Sequence, residues 1–285
     1  MVTKDDIVMW LCPLCKSAIS LHSKAIKCEN NHSFDKAKSG YVNLLPVQFK
    51  KSKVPGDDKA MVKARREFHE LNAYKPLKDR LVQRLAQHLT PSNITASPVA
   101  VYDAGCGEGS YLDAVVNGLK QLGCNCSGAG SDISKIAVEI ASKAFKTHQF
   151  VVASSFDLPL EDASQDVMIQ VFAPGSNSEY VRALKCDGLL LTVDPGADHL
   201  YEIKSQIYDN PKKHESKDTQ RENLRAVLSE RLTFPIALTS KAHALALIKM
   251  TPFYWKLPQG RIDDIVEALS VVTADFHIQL WQKAE

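Results

Sequence analysis

Apolar positions in the second two-thirds of the chain form short runs separated by segments with helical spacing. The runs predict strands over residues 99–102, 125–131, 150–153, 167–172 and 189–193. Between them, apolar residues three and four positions apart predict helices over 111–122, 133–145 and 177–185. This alternation predicts an α/β fold with a doubly wound, mostly parallel sheet.

Two further helices are predicted ahead of the first of these strands. Leucines recur at a spacing of four over 76–89, a pattern typical of a helix packed against a core. A turn at 54–57 comes earlier, where Asp57 or Asp58 is a candidate N-cap for a helix beginning near Lys59. We assign no chemistry to the leucine stripe.

Composition argues against a membrane protein, a secreted protein and a disulfide-stabilised protein. The chain has 285 residues and no apolar run near the ~20 residues that cross a bilayer, and its N-terminus lacks a secretory pattern. Seven cysteines is an odd number, which favours reduced thiols over a disulfide framework. We therefore expect a cytoplasmic protein without a membrane segment.

The small net charge of +2 is unevenly distributed. Residues 1–95 hold 17 Lys and Arg against 9 Asp and Glu, a net of +8, whereas the remaining residues carry −6. A basic N-terminal part favours a polyanionic partner, although ordinary variation of surface charge explains the split equally well. Within it, five basic residues are candidates for phosphate contacts. They are Lys50, Lys51, Lys63, Arg65 and Arg66.

A metal-ligand pattern lies within the basic part. Cys12 and Cys15 form a Cys-x-x-Cys pair, and Cys28 is followed by His32 after three residues. Four such residues within 21 positions predict a tetrahedral Cys₃His zinc site. All four coordination positions are filled by protein, so the zinc is expected to be structural. His22 is a competitor for the fourth position.

The stretch DAGCGEG directly follows the strand predicted over 99–102. Asp103, Gly105, Gly107 and Gly109 do not follow the dinucleotide pattern Gly-x-Gly-x-x-Gly, because Ser110 occupies the position of its third glycine. The stretch resembles the S-adenosylmethionine loop of class I methyltransferases. In that arrangement, Asp103 interacts with the ammonium of the cofactor, directly or through water, and the glycines let the backbone approach it.

A second acid follows the next predicted strand. Asp132 is placed to accept both ribose hydroxyls, although it is also a candidate cap for the helix that follows. Many class I enzymes carry an acid at the position of Ser154 to receive the adenine amino group. Because that acid is absent here, we expect the backbone of Ser155 and Phe156 to contribute instead.

The motifs together resemble those of the bacterial 23S ribosomal RNA guanine-N1 methyltransferases. The resemblance spans nearly the whole chain and rests on the zinc pattern, DAGCGEG and blocks that occur in the same order. These blocks are HSFDKAKSGYVNLLP, PGDDKAMVKARR, AYKPL, VASSFDLP, VFAP, DPGADHLYEIK and MTPFYW. Phe172 departs from the family, in which a tyrosine is expected before Ala173 and Pro174.

This resemblance implies a fold, a reaction and a set of contacts. It implies a zinc-binding RNA-recognition module over 1–45, a basic linker with helices over 46–95, and a class I domain with a seven-stranded sheet over 96–285. The implied reaction is methylation of N1 of a guanine in a hairpin of 23S ribosomal RNA, and a homodimer is compatible with it. Tyr74, Gly107, Glu108 and His199 match cofactor contacts of the family.

The residues themselves leave two questions open. A methyltransferase acting on a small molecule or a protein, with the zinc module as scaffold only, is the alternative. Candidate groups for a target base are 172–174, Asp194, His199 and the aromatic residues at 253–255, whose ordinary role is core packing. The sequence marks no general base.

Overall fold

The strands form one large sheet and two small hairpins. A computed structural model describes residues 10–23, 25–49, 56–89, 98–208, 210–214, 220–257 and 259–284. The strands are β1 (Trp10–Leu11), β2 (Ala18–Ile19), β3 (Ile26–Lys27), β4 (Ser33–Phe34), β5 (Val42–Asn43), β6 (Val99–Ala104), β7 (Cys126–Asp132), β8 (Gln149–Val152), β9 (Gln165–Val171), β10 (Leu184–Pro195), β11 (Leu224–Ala237) and β12 (Val271–Lys283).

Eight strands build the large sheet in the order β11-β12-β10-β9-β6-β7-β8-β5. Neighbours from β10 through β5 are parallel, and β12 is antiparallel to both β10 and β11. The chain order reverses between β6 and β9, and ligands bind beside the carboxyl ends of strands at such a switch point. DAGCGEG begins in β6 at this position.

The helices confirm the predicted alternation. They are α1 (Lys59–Glu70), α2 (Lys75–His88), α3 (Ser110–Gln121), α4 (Lys135–Ala144), α5 (Asn177–Ala183), α6 (Tyr201–Ser205), α7 (Lys241–Lys249) and α8 (Ile262–Ala268), with 3₁₀ turns at Val47–Phe49, Pro252–Lys256 and Gln259–Arg261. The Asp58 carboxylate accepts from the N–H groups of Ala60 and Met61 and caps α1, as predicted. The leucine stripe of α2 is buried.

The seven-stranded sheet that the resemblance implied gains an eighth strand. β5 from the N-terminal part pairs in parallel with β8 at the sheet edge, in the register Val42 to Val151. A two-residue strand has no sequence signature, because its pairing depends on the partner edge rather than on its own pattern. The zinc module thus joins the sheet of the larger domain directly.

Packing reinforces this connection. Trp10 is 1% exposed, meets Tyr102 edge-to-face at 6.0 Å between ring centroids, and donates from Nε1 to Gln149 at 2.6 Å. Apolar residues around the zinc ligands share one core cluster with residues of β6, β8 and β9. The opposite face of the sheet is covered by a larger cluster that includes α2 and α3.

Candidate functional site

The glycine loop between β6 and α3 forms one wall of a cavity at the carboxyl ends of the strands. Gly105 has φ of +89°, and a Cβ there would lie 2.4 Å from the Cβ of Ala173. Gly109 also has φ of +89° and lies against Phe145 of the helix-end region. Both positions require glycine for backbone and packing reasons. The N–H groups of Gly105 and Cys106 both donate to the carbonyl of Ser131, so these bonds hold the loop beside the end of β7.

Asp132 fastens this loop to the end of β7. Its Oδ2 accepts from the N–H of Gly107 at 2.9 Å, and its Oδ1 accepts from the N–H of Ser134 at 2.7 Å. The helix cap itself is Ser134, whose hydroxyl accepts from the N–H of Ala137. Burial raises the pKa of Asp132, while these N–H donors act against that rise. Each carboxylate oxygen accepts one of these bonds and can accept another, and Asp132 lines the cavity, so ribose binding and loop support are compatible.

Asp103 lies one layer behind the loop. It is 1% exposed, is not among the residues that line the cavity, and its Oδ1 has no hydrogen-bond partner among the described residues. Burial first, then the charges of Asp132 and Glu108, raise the pKa of Asp103 to about 8. Asp103 can therefore interact with a ligand in the cavity only through a water or after a small movement of the loop.

Glu108 is a buried acid of the same loop. Its Oε2 accepts from the Ser110 hydroxyl at 2.8 Å and from the Arg66 guanidinium at 3.3 Å. Arg66 in turn lies over the Phe145 ring, 5.0 Å from its centroid. The Glu108 carboxylate therefore accepts hydrogen bonds at the N-terminus of α3 and also lines the cavity.

An aromatic group forms the opposite wall. Tyr74 is 2% exposed and packs edge-to-face on Phe276 at 5.2 Å, and Phe172 stacks on His199 at 6.0 Å between ring centroids. The N–H of Asp275 donates to Nδ1 of His199 at 3.3 Å. Burial, followed by the neighbouring His214, lowers the pKa of His199 to about 4. A neutral ring that accepts at Nδ1 carries its hydrogen on Nε2.

The cavity brings together most of the residues that the sequence predicts. It has a volume of about 630 Å³, within the range of pockets that hold small molecules. Seven of the predicted cofactor-binding residues line it, namely Tyr74, Gly105, Gly107, Glu108, Asp132, Ser155 and His199. The chemistry of this set fits S-adenosylmethionine, because buried acids face a cationic ligand and a bare glycine loop accommodates its close approach.

The two arginines of helix α1 point into the protein, whereas the sequence offered them as phosphate contacts. Arg65 lines the cavity, pairs with Asp57 at 2.5 Å and comes close to Gly107. Because Arg66 also bonds inward to Glu108, both arginines form ion pairs within the protein, and their role as phosphate contacts stays a prediction. Lys63 is exposed, as predicted. Lys50 and Lys51 lie outside the described residues.

His69 and Tyr111 are two of several cavity-lining residues that the sequence patterns did not indicate. His69 and Tyr111 line the cavity, their ring centroids are 5.0 Å apart, and neither His69 Nδ1 nor the Tyr111 hydroxyl has a partner among the described residues. Burial, then the charges of Lys78, Arg65 and Arg66, hold the pKa of His69 well below its ordinary value. Each residue lies within an ordinary helical pattern, so no sequence signal distinguishes it.

The base-pocket candidates separate into two groups. Phe172, Ala173, Pro174 and Phe253 line the cavity. Asp194 is exposed and, within the described ranges, is not a lining residue. Tyr254 packs partly on the core, whereas Trp255 projects outward.

The predicted zinc ligands form a compact cluster. The ligand atoms of Cys12, Cys15, Cys28 and His32 all lie within 4.8 Å of one another. His32 Nδ1 is 3.5 Å from the sulfur of Cys12 and 3.4 Å from that of Cys28, and the sulfurs of Cys15 and Cys28 are 3.7 Å apart. A zinc–sulfur bond of about 2.3 Å gives tetrahedral edges of roughly 3.8 Å, so the cluster fits zinc. His22 is not in the cluster; its Nε2 contacts the Gln149 amide.

Comparisons with known proteins agree with this geometry. Residues 10–53 match the zinc-ribbon family described as RlmA, N-terminal, and residues 101–188 match a methyltransferase domain family. YxjB of Bacillus subtilis (strain 168), named as a 23S rRNA (guanine-N(1)-)-methyltransferase, is 33% identical over 98% of both chains. A protein of Micromonospora griseorubida with the same enzyme name is 32% identical over 91% of both chains.

A third relative is named for a particular nucleotide. The 23S rRNA (guanine(748)-N(1))-methyltransferase of Streptomyces fradiae is 34% identical over 70% of this chain and 68% of its own. Among the described helices, none is both long and apolar enough to cross a bilayer.

Sheet order, glycine loop and cavity define a class I methyltransferase, whose cofactor is S-adenosylmethionine. The cluster of zinc ligands that precedes this domain in the chain matches the zinc ribbon of one particular family. The chain belongs to the family of 23S rRNA guanine-N1 methyltransferases.

Proposed function

We propose that this protein transfers a methyl group from S-adenosylmethionine to N1 of a guanine in a hairpin of 23S ribosomal RNA. The observation that carries the proposal is the joint presence of a zinc ribbon and the acid-lined cavity in one chain that matches YxjB over 98% of its length. A generic methyltransferase shares only the cavity. The agreement therefore favours the ribosomal RNA reaction over a small-molecule reaction.

We assign cofactor binding to the residues around the loop. Asp132 holds the ribose hydroxyls, Glu108 provides negative charge near the amino acid end, and Tyr74 and His199 contribute the aromatic side of the site. The Asp103 carboxyl lies behind the loop and reaches the cofactor ammonium through water. Ser155 donates its hydroxyl to the carbonyl of Pro174 at 2.7 Å, and its carbonyl accepts from the N–H of Ser176. We assign its backbone N–H to the adenine edge. When bound, S-adenosylmethionine supplies an activated sulfonium methyl group.

The target guanine must be unpaired, because a helix buries its N1 edge in pairing. We assign one part of the cavity wall to such a base. This part consists of Phe172, Ala173 and Pro174, which directly follow β9, together with Phe253. His199 presents Nε2–H as a donor and is unsuited to remove the N1 proton. Positioning of the base against the methyl group is then the main contribution of the protein.

Product analysis tests the proposal. The purified protein is incubated with labelled S-adenosylmethionine and an unmodified 23S ribosomal RNA transcript, and the RNA is digested to nucleosides. We expect label in 1-methylguanosine. Label confined to protein or to small molecules would support the alternative, in which the zinc module is a scaffold only.

Two further expectations accompany the proposal. We expect the protein to be cytoplasmic, because ribosomal RNA is the proposed substrate. Localisation of a tagged chain would test this expectation. A homodimer, which the family resemblance allows, is expected to give twice the 31.5 kDa chain mass in light scattering.

A further inference from the structure

An exposed tryptophan lies on the short turn that forms part of the cavity wall. Thr251, Pro252 and Phe253 line the cavity, and the 3₁₀ turn continues to Lys256. Side chains three positions apart eclipse one another in a 3₁₀ turn, so Trp255 lies along the same side as Pro252. Trp255 is 62% exposed. One turn therefore presents Phe253 to the cavity and Trp255 to solvent at its rim.

Trp255 contacts an aromatic neighbour on the same turn, and two lysines lie on this turn or just before it. Tyr254 meets Trp255 edge-to-face at 5.2 Å, and the Lys249 ammonium lies 5.9 Å from the centroid of the Tyr254 ring. Lys256 donates to the hydroxyl of Tyr208 at 2.9 Å. Neither lysine has an ion pair within the part of the chain that the structure describes, so both charges are available to a polyanion.

We propose that Trp255 stacks on an unpaired nucleotide next to the target guanine, while Lys249 and Lys256 contact its phosphates. The inference deepens the proposed function and rests on it. Single-stranded RNA is held by aromatic platforms beside positive charge, which is the combination on this rim. Along a duplex each base face is stacked on its neighbours, so an exposed indole meets a free base face only at the ends. The rim thus selects an unpaired segment, and the cavity receives one base of it.

Tryptophan fluorescence tests stacking directly. The chain has three tryptophans, and Trp10 and Trp281 are only 1% and 3% exposed. Iodide quenching therefore reports on Trp255 alone. We expect short single-stranded RNA and the 23S transcript to protect Trp255 from iodide, and a blunt RNA duplex to protect it much less. Trp255→Phe removes the signal and confirms its source.

Kinetics provide the second arm. Trp255→Ala is expected to raise the KM for the 23S transcript about 5- to 150-fold with a nearly unchanged kcat, because one base-stacking contact is lost. Trp255→Phe retains an aromatic face and should keep KM within a few-fold of the parent. Leu122→Ala is the matched control, because Leu122 is 64% exposed and lies at the end of α3, away from the rim. Calorimetry should give the same cofactor affinity for all variants.

The outcomes separate the two proposals. Methylation by the parent with an unchanged KM in Trp255→Ala would overturn the stacking role and leave the reaction intact. Equal protection by duplex and single strand, or protection by ribosomal proteins instead of RNA, would also overturn it. If the parent does not methylate the transcript, the reaction proposal fails, and the quenching arm still decides whether Trp255 binds unpaired RNA.

Discussion

Asp103 illustrates how a single buried acid sets the pH response of this fold. Its pKa is raised to about 8 by burial and by the two neighbouring acids, whereas an unfolded aspartate titrates near 3.9. Between these values the folded state binds a proton that the unfolded state has lost. The free energy of unfolding therefore falls as pH rises from about 4 to about 8.

Asp103→Asn removes this titration with little change in shape. We expect the variant to gain stability relative to the parent at pH 8 and to lose that advantage near pH 4. Urea unfolding at both pH values measures the difference. An equal difference at the two pH values would show that the pKa of Asp103 is not raised in the folded protein.

Asp132 has two roles that substitution should separate. Asp132→Ala removes a charge-assisted ligand contact and also the acceptors for Gly107 and Ser134, so both cofactor affinity and stability should fall. Asp132→Asn retains one acceptor oxygen and should preserve more of the loop. We expect a loss of about 2–4 kcal/mol in cofactor binding for Asp132→Ala by calorimetry. Unchanged affinity in the folded variant would leave Asp132 with its loop role alone.

At the scale of elements, the end of β10 depends on a carboxylate of β12. Burial works to raise the pKa of Asp275, but bonds from Arg231, the N–H of Asp198 and Thr233 hold it below the ordinary value. Its backbone N–H also donates to His199, and its carbonyl accepts from the N–H of Gly196. Asp275 therefore positions the 196–199 turn against the cavity.

Gly196→Ala tests this positioning. A Cβ at Gly196 would lie 2.4 Å from Cγ of Asp275, so the turn must shift and move His199. We expect a stability loss of about 1–3 kcal/mol together with weaker cofactor binding. Gly260→Ala is the matched control, since a Cβ there meets no atom within 4 Å. Full cofactor affinity in Gly196→Ala would show that the turn does not position the site.

Sequence patterns predict some of these elements and miss others for physical reasons. Zinc ligands and the glycine loop were predicted because their spacing is local. Four of the five central strands were predicted because each is a buried apolar run, whereas β7 consists mainly of small residues. The inward direction of the Arg65 side chain was not predicted, since the face that a helix buries depends on the elements packed against it. Asp275 acts on a turn 76 residues away in sequence from its own position, at His199, and no local pattern records such a contact.

At the scale of the molecule, the zinc module and the cofactor domain share structure. β5 extends the large sheet beside β8, Trp10 is buried against Tyr102, and the N–H of Leu11 donates to the carbonyl of Pro159 at 2.9 Å. Residues 154–156, which line the cavity, lie only a few positions before Pro159. Loss of the zinc module would therefore expose apolar surface beneath the strands that carry the cofactor loop.

Cys12→Ser tests whether the two parts unfold together. A structural zinc supplies folding free energy on the order of 10 kcal/mol in small zinc modules, so removal of one ligand should release the metal and destabilise the module. Because the apolar core is shared, we expect one cooperative unfolding transition at lower denaturant, rather than a separate early loss of the module. Cofactor affinity should fall with it, and RNA methylation should fall further.

The matched control is Cys186→Ser, because Cys186 is an exposed cysteine outside the zinc cluster. It should keep one zinc per chain by metal analysis and unfold like the parent. Unfolding of Cys12→Ser is followed by tryptophan fluorescence, to which the buried Trp10 of the zinc module contributes, and by far-UV circular dichroism, and the two curves should coincide if the transition is shared. Two separated transitions, with parent-like cofactor affinity between them, would instead mean that the zinc module folds independently of the sheet it extends.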